Sequence, residues 1–170
     1  PIQFQKEHNT IALLGGTGMV GGFIIKEALA RGYNLRILAR NPKKLDAIKD
    51  QITIIKGNAL NHLAIQQLLQ GSDVVISALG PVKADGDAAK RVNSIATDHI
   101  VQQMNQNNIN RYILVSGAAV TMPNDNRNLR GWVIKKLAQL TLSDALHDKQ
   151  AEYEVLQQST IQWTLVRCPL

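Results

Sequence analysis

The stretch Leu13-Leu14-Gly15-Gly16-Thr17-Gly18-Met19-Val20-Gly21-Gly22 limits what this chain can fold into more than any other. It follows a short apolar run, Thr10 to Leu14, and opens an amphipathic segment from Met19 to Arg31. Strand, glycine turn and helix in that order form the context in which a glycine fingerprint means dinucleotide binding. Gly15, Gly18 and Gly21 are spaced Gly-x-x-Gly-x-x-Gly, and Gly16, Gly18 and Gly21 also satisfy Gly-x-Gly-x-x-Gly. The first glycine permits a tight turn, the second lets backbone approach a pyrophosphate, and Gly21 lets helix pack close to strand. The helix N-terminus then offers unpaired N–H groups and a positive dipole end to an anion.

The rest of the chain alternates strands with helices. Expected strands are Asn34–Ala39, Gln51–Lys56, Asp73–Ala78, Arg111–Val115 and Gln162–Val166. Between them fall a helix carrying Val20, Phe23 and Ile24 inward and a short helix from Pro42 to Ile48. A helix capped by Asn61 carries Leu63, Ile65, Leu68 and Leu69. A long helix is expected from Asp87 to about Asn107, and two more over Arg130–Leu142 and Asp144–Gln158. This pattern predicts an α/β fold, a doubly wound (Rossmann) parallel sheet with helices on both faces, in strand order 3-2-1-4-5-6. Ligand would lie across the carboxyl ends of the strands, where the order reverses.

Composition narrows the partners. The chain has 170 residues and a net charge of +6, with 45% hydrophobic and 4% aromatic residues. That length suits one domain over residues 1–170. The basic residues are scattered rather than clustered and the aromatics are few, which argues against nucleic acid. No apolar run approaches the ~18 residues that span a bilayer, so no membrane partner is expected. Cys168 is alone, which fits a reducing, cytoplasmic setting.

A site for NAD(H) usually carries an acid about 20 residues past the glycines, bonding the ribose 2′-OH. Here that strand end reads Leu38-Ala39-Arg40-Asn41-Pro42, without an acid. Arg40 offers a fork for a 2′-phosphate, and Lys43 or Lys44 could assist as point charges. NADP(H) is therefore expected in preference to NAD(H). Arg36, early in the strand, is expected to face solvent.

The chain resembles the atypical short-chain dehydrogenase/reductase family, in the group of NmrA-like and biliverdin reductase B (flavin reductase)-like NAD(P)H-binding proteins. Gly15 to Gly21, Leu38 to Pro42, Gly57-Asn58-Ala59, Val75 to Gly80, Arg111 to Ser116 and Trp163 to Arg167 carry the resemblance, in family order. It implies that Thr17, Gly18, Met19 and Val20 hold the pyrophosphate, Arg40 the adenosine phosphate, and Asn58 and Ala59 the adenine. It further implies that Ala78, Leu79 and Gly80 line the nicotinamide ribose and that Ser116 faces the nicotinamide. Relatives continue past the last strand with a segment that covers the substrate, which this chain would lack.

Catalytic relatives carry Tyr-x-x-x-Lys. Counting back from Trp163-Thr164 puts the lysine at Lys149 and the tyrosine position at Ala145. The usual proton relay between alcohol and ketone is then missing. The resemblance implies hydride transfer from NADPH to a small acceptor, flavin- or quinone-like, that takes its proton from solvent. Ser116 and Lys149 would orient nicotinamide and ribose, in a monomer or small homo-oligomer. The alternative is a non-catalytic, NmrA-like redox sensor, which needs no proton donor. Trp132-x-x-x-Lys136 has the same spacing without an ionisable first group, and Tyr153 is expected to be a packed helix residue. His147 lies near the site but reads as surface or core, Asp144 and Asp148 as a solvated face, and Cys168 as buried and inert. His8, His62 and His99 lack metal-ligand spacing.

Overall fold

The computed structural model describes residues 9–80, 86–87, 90–117, 120–123, 125 and 143–168. Six parallel strands form one sheet in the order β3-β2-β1-β4-β5-β6. They are β1 (Thr10–Leu14), β2 (Asn34–Ala39), β3 (Thr53–Lys56), β4 (Val74–Ser77), β5 (Arg111–Gly117) and β6 (Gln162–Cys168). Leu13 of β1 pairs with Ile37 on one side and Ile76 on the other, so the order reverses at β1. The fold is the doubly wound α/β arrangement expected from the alternation.

Successive β1 side chains divide the core. Ile11 and Leu13 pack with Ile25, Ala28, Leu35, Ile37 and Leu45 on one face. Ala12 and Leu14 join Ile65, Leu68, Ile100, Met104, Leu114 and Leu156 on the other. The first face is covered by α1 (Met19–Ala30) and a 3-10 segment, Pro42–Gln51. The second is covered by α2 (His62–Leu69), α3 (Val92–Gln106) and α4 (Ser143–Gln158). Strands covered on both faces bear near-continuous apolar runs, which Val74 to Ile76 shows.

Local signals set the element ends. α1 stops where Gly32 takes φ +75, with Gly32 N bonded to Leu29 O and Tyr33 N to Ala28 O, a Schellman closure. Asn41 caps the Pro42 segment through Lys43 N, and Asn61 caps α2 through Leu63 N and Ala64 N. β5 and β6 run two residues beyond the expected ends, to Gly117 and Cys168, because their pairing continues that far.

Several expectations need correction. The buried face of α1 is Gly21, Ile25 and Ala28, not the Val20–Phe23–Ile24 stripe, and Phe23 is 71% exposed. The glycine at 21 rotates the helix so that its least bulky side meets the turn. Leu63 is exposed and Ala64 takes its place in the core. The segment after Pro42 is 3-10 rather than α and continues to Gln51. The long helix begins at Val92, not Asp87. Arg36 does not simply face solvent: Nε donates to Leu68 O and Nη2 to Gln67 O, satisfying the last carbonyls of α2. Asp148 is buried rather than solvated, accepting from Asn93 N, Asn93 Nδ2 and Ser94 N at 2.8, 2.8 and 2.9 Å. It caps α3 from the neighbouring helix. Cys168 is exposed, not buried. The expected helix Arg130–Leu142, with Trp132 and Lys136, lies outside the described residues.

Candidate functional site

The carboxyl ends of β1, β2, β3 and β4 surround a cavity of about 400 Å³. Its wall includes Gly15, Thr17, Gly18, Met19 and Val20 from the glycine turn. Arg40 comes from the end of β2, Asn58 and Ala59 from the turn after β3, and Ala78, Leu79 and Gly80 from the end of β4. Eleven of the twelve expected cofactor residues thus share one wall. The twelfth, Gly21, lies buried beneath it.

Backbone proximity explains the glycines. Gly15 takes φ +75, and a Cβ there would run into the carbonyl oxygen of Ala78. Its absence lets the β1 turn and the β4 end meet. Gly21 does not need a positive φ, but a Cβ on it would run into Gly15 O. The helix can therefore start directly over the turn. Gly18 is the N-cap with extended backbone (φ −86, ψ 171), its N–H bonded to Gly15 O at 3.0 Å. No side chain caps this helix, and its first turn carries no acid. The N–H groups of Met19, Val20 and Gly21 precede the first helical bond, Gly22 N to Gly18 O. An uncapped helix start, with Arg40 and Lys44 as the charged residues of the wall and no acid in it among the described residues, suits an anion with several oxygens. The donor set therefore fits the phosphates of a dinucleotide.

Lys44, rather than Lys43, stands in this wall. Leu38, Gly57 and Val92 line it too and were not singled out from the sequence. Gly57 lay inside a stretch already noted, whereas no local signal marks Val92, which tertiary folding brings in from α3. Asn58 Oδ1 accepts from Leu60 N at 3.0 Å, which orients its amide at the adenine end expected for it.

Ser116 and Lys149 stand one strand further along, outside that wall. Ser116 is 5% exposed and its Oγ is buried with no hydrogen-bond partner among the described residues. Its hydroxyl does not close a turn, so it is a buried polar atom left over by the fold. Lys149 Nζ donates to Val115 O, the carbonyl leading into Ser116, at 3.2 Å, and to Glu152 Oε2 at 2.9 Å. The fold thus brings Lys149 to the end of β5 beside Ser116. Glu152 is fully buried. Burial pushes its carboxyl pKa up, while the facing Lys149 ammonium and the Thr97 hydroxyl pull the other way. Sequence reasoning missed Glu152, because Lys and Glu at i, i+3 read as an ordinary exposed pair.

The remaining candidates separate clearly. Ala145 is half-buried and His147 is exposed. Tyr153 packs edge-to-face on Trp163, with ring centroids 5.9 Å apart, as a structural residue. His62 and His99 also meet edge-to-face, at 5.3 Å, and no metal-ligating cluster occurs among the described residues. No helix of the described residues is long and apolar enough to cross a membrane.

Comparison with known proteins agrees with this geometry. Cinnamoyl-CoA reductase 1 of Petunia hybrida is 22% identical over 126 residues, which is 69% of this chain and 38% of that protein. The chain therefore spans well under half the length of that curated relative. Anaerobillin reductase ChuY of Escherichia coli O157:H7 superposes with a TM-score of 0.76 at 18% identity, over 94% of this chain and 72% of that one. A short-chain dehydrogenase/reductase of Veillonella parvula, solved with NADP, superposes at 0.69 with 20% identity, over 94% and 68%. At such identities these structures show the shared Rossmann-like fold. A family profile described as NAD(P)H-binding matches residues 15–170, nearly the whole chain. The chain belongs to this NAD(P)H-binding family, as its resemblance to the atypical short-chain dehydrogenases implied.

Proposed function

We propose that this chain is the cofactor-binding part of an NADPH-dependent reductase whose acceptor is a flavin- or quinone-like small molecule. The observation that carries the reading is the uncapped start of α1, facing a cavity whose wall, among the described residues, bears Arg40 and Lys44 and no acid. The turn from Thr17 to Val20 would hold the pyrophosphate through backbone N–H groups. Arg40 would fork onto the 2′-phosphate, assisted by Lys44. Asn58 and Ala59 would meet the adenine, and Ala78, Leu79 and Gly80 the nicotinamide ribose.

When bound, the cofactor supplies a hydride, and the protein's part is to place it and keep competing chemistry away. Lys149, held at the end of β5, would orient the ribose. The buried Ser116 hydroxyl, which has no partner among the described residues, would bond the nicotinamide amide. Hydride addition to an isoalloxazine or quinone leaves an anion that water can protonate. The reaction therefore balances without a protein acid, consistent with Ala145 at the position of the usual tyrosine. The same alanine also suits a non-catalytic redox sensor. A buried hydroxyl and a held lysine beside it favour the reductase, since a sensor needs neither.

The test is NADPH oxidation, followed by absorbance, with FMN, riboflavin and small quinones as acceptors. Turnover that drops tenfold or more in Lys149→Ala, with NADPH still bound, is the expected result. Tight NADPH binding without turnover on any acceptor would assign the chain to the sensor class.

A further inference from the structure

A chain of buried polar side chains links Lys149 to the cavity wall. Glu152 accepts from Lys149 Nζ on Oε2 at 2.9 Å and from Thr97 Oγ1 on Oε1 at 3.2 Å. Thr97 Oγ1 lies 3.2 Å from the Tyr112 hydroxyl, which the Ser77 hydroxyl faces from its other side. Ser77 Oγ accepts from Leu79 N at 3.4 Å, and Leu79 lines the cavity. Glu152, Thr97, Tyr112 and Ser77 are each at most 1% exposed.

We propose that Glu152 is the positioning residue of this site: it holds Lys149 at the end of β5 and, through Thr97, Tyr112 and Ser77, ties it to the Leu79 amide. Hydrogen-bond directions support this. A carboxylate only accepts, so the single Thr97 proton goes to Glu152. Thr97 must then accept from Tyr112, and Tyr112 from Ser77, whose oxygen takes the Leu79 N–H. Each hydroxyl has one consistent orientation from the cavity wall to Lys149. Burial holds the Tyr112 pKa far above the usual phenol range, so this hydroxyl keeps its proton and its direction.

Among the described residues, the charged and titratable groups facing Glu152 are Lys149 and Asp148 on its own helix and Tyr112 on β5, while α3 contributes the neutral Thr97. Asp148 is committed to capping α3, which leaves Glu152 as the anion that Lys149 meets. A buried ion pair is weak support for a fold, because well-packed apolar residues of the same volume stabilise as well or better. Its use is to fix a position. The effect on turnover rests on the reductase reading, whereas the tether itself does not.

Two arms of the chain can be cut separately in the whole protein. In Glu152→Gln the amide oxygen can still accept from Thr97, but Lys149 loses its counter-charge. Acylation of Lys149 by acetic anhydride, read by mass spectrometry, should rise at least fivefold. The reductase kcat should fall about tenfold, with the acceptor KM changing less than twofold. In Thr97→Val the Lys149 contact stays while the link to Tyr112 is lost. Hydrogen exchange at the Leu79 amide should quicken severalfold there and stay at the parent rate in Thr97→Ser. Unchanged Lys149 acylation in a folded Glu152→Gln, or unchanged Leu79 exchange in Thr97→Val, would overturn the proposal. If Glu152→Gln does not fold, the double variant with Lys149→Met decides: recovery of folding supports the pairing, and continued unfolding overturns it. A parent protein that reduces no acceptor would refute the reductase reading alone, since acylation and exchange need no turnover.

Discussion

At Gly21 a hydrogen stands where a methyl group would collide with Gly15 O, the carbonyl that also accepts from Gly18 N. Gly21→Ala must push helix or turn aside at a cost of about 1–3 kcal/mol. The expected outcome is a lower melting temperature together with loss of NADPH affinity, checked by thermal unfolding and calorimetry. Glu152 gives a second residue-level expectation. Its pKa is raised from 4.5, so the folded chain holds this proton more tightly than the unfolded one. That contribution is complete below the ordinary carboxylate pKa and is lost as pH rises through the raised value. Urea unfolding of parent and Glu152→Gln should therefore show the gap moving in the variant's favour as pH climbs from 4.5. A gap constant with pH would contradict the burial argument. The glycine turn and the place of Arg40 at the cavity were legible in the sequence because they depend on backbone shape and on position at a strand end. Glu152 and Asp148 were not, because their burial is decided by α3, which is distant in sequence.

Element ends were read well wherever a local cap decides them. Asn61 and the Arg31–Gly32 stop needed only neighbouring residues, and both act as expected. Helix faces fared worse. Val20 and Phe23 looked like the inward stripe of α1, yet contact with the glycine turn, invisible to periodicity, turns Gly21 inward instead. The start of α3 was misplaced for a related reason: its cap comes from α4. Asp148→Ala would leave Asn93 N, Asn93 Nδ2 and Ser94 N buried without that acceptor. The expected loss is about 2–3 kcal/mol. At this chain length that corresponds to roughly 4–12 °C of melting temperature. A change within a degree would mean that water caps α3 equally well.

For the whole molecule, the strand order was legible because alternating elements and right-handed crossovers leave few arrangements. That order alone brings the ends of β1, β2 and β4 together and gathers residues from Gly15 to Val92 around one cavity. Individual lining residues such as Val92 could not be read, since they belong to elements whose packing depth depends on the entire sheet. The central proposal is that this cavity recognises a 2′-phosphorylated dinucleotide through Arg40. Calorimetric titration of the parent chain and Arg40→Ala with NADPH and NADH tests it most directly. Loss of a forked, charged contact should cost about 1.5–3 kcal/mol, weakening NADPH roughly ten- to hundredfold and leaving NADH nearly unchanged. Equal weakening of both cofactors, or a parent chain that binds NADH more tightly than NADPH, would contradict it.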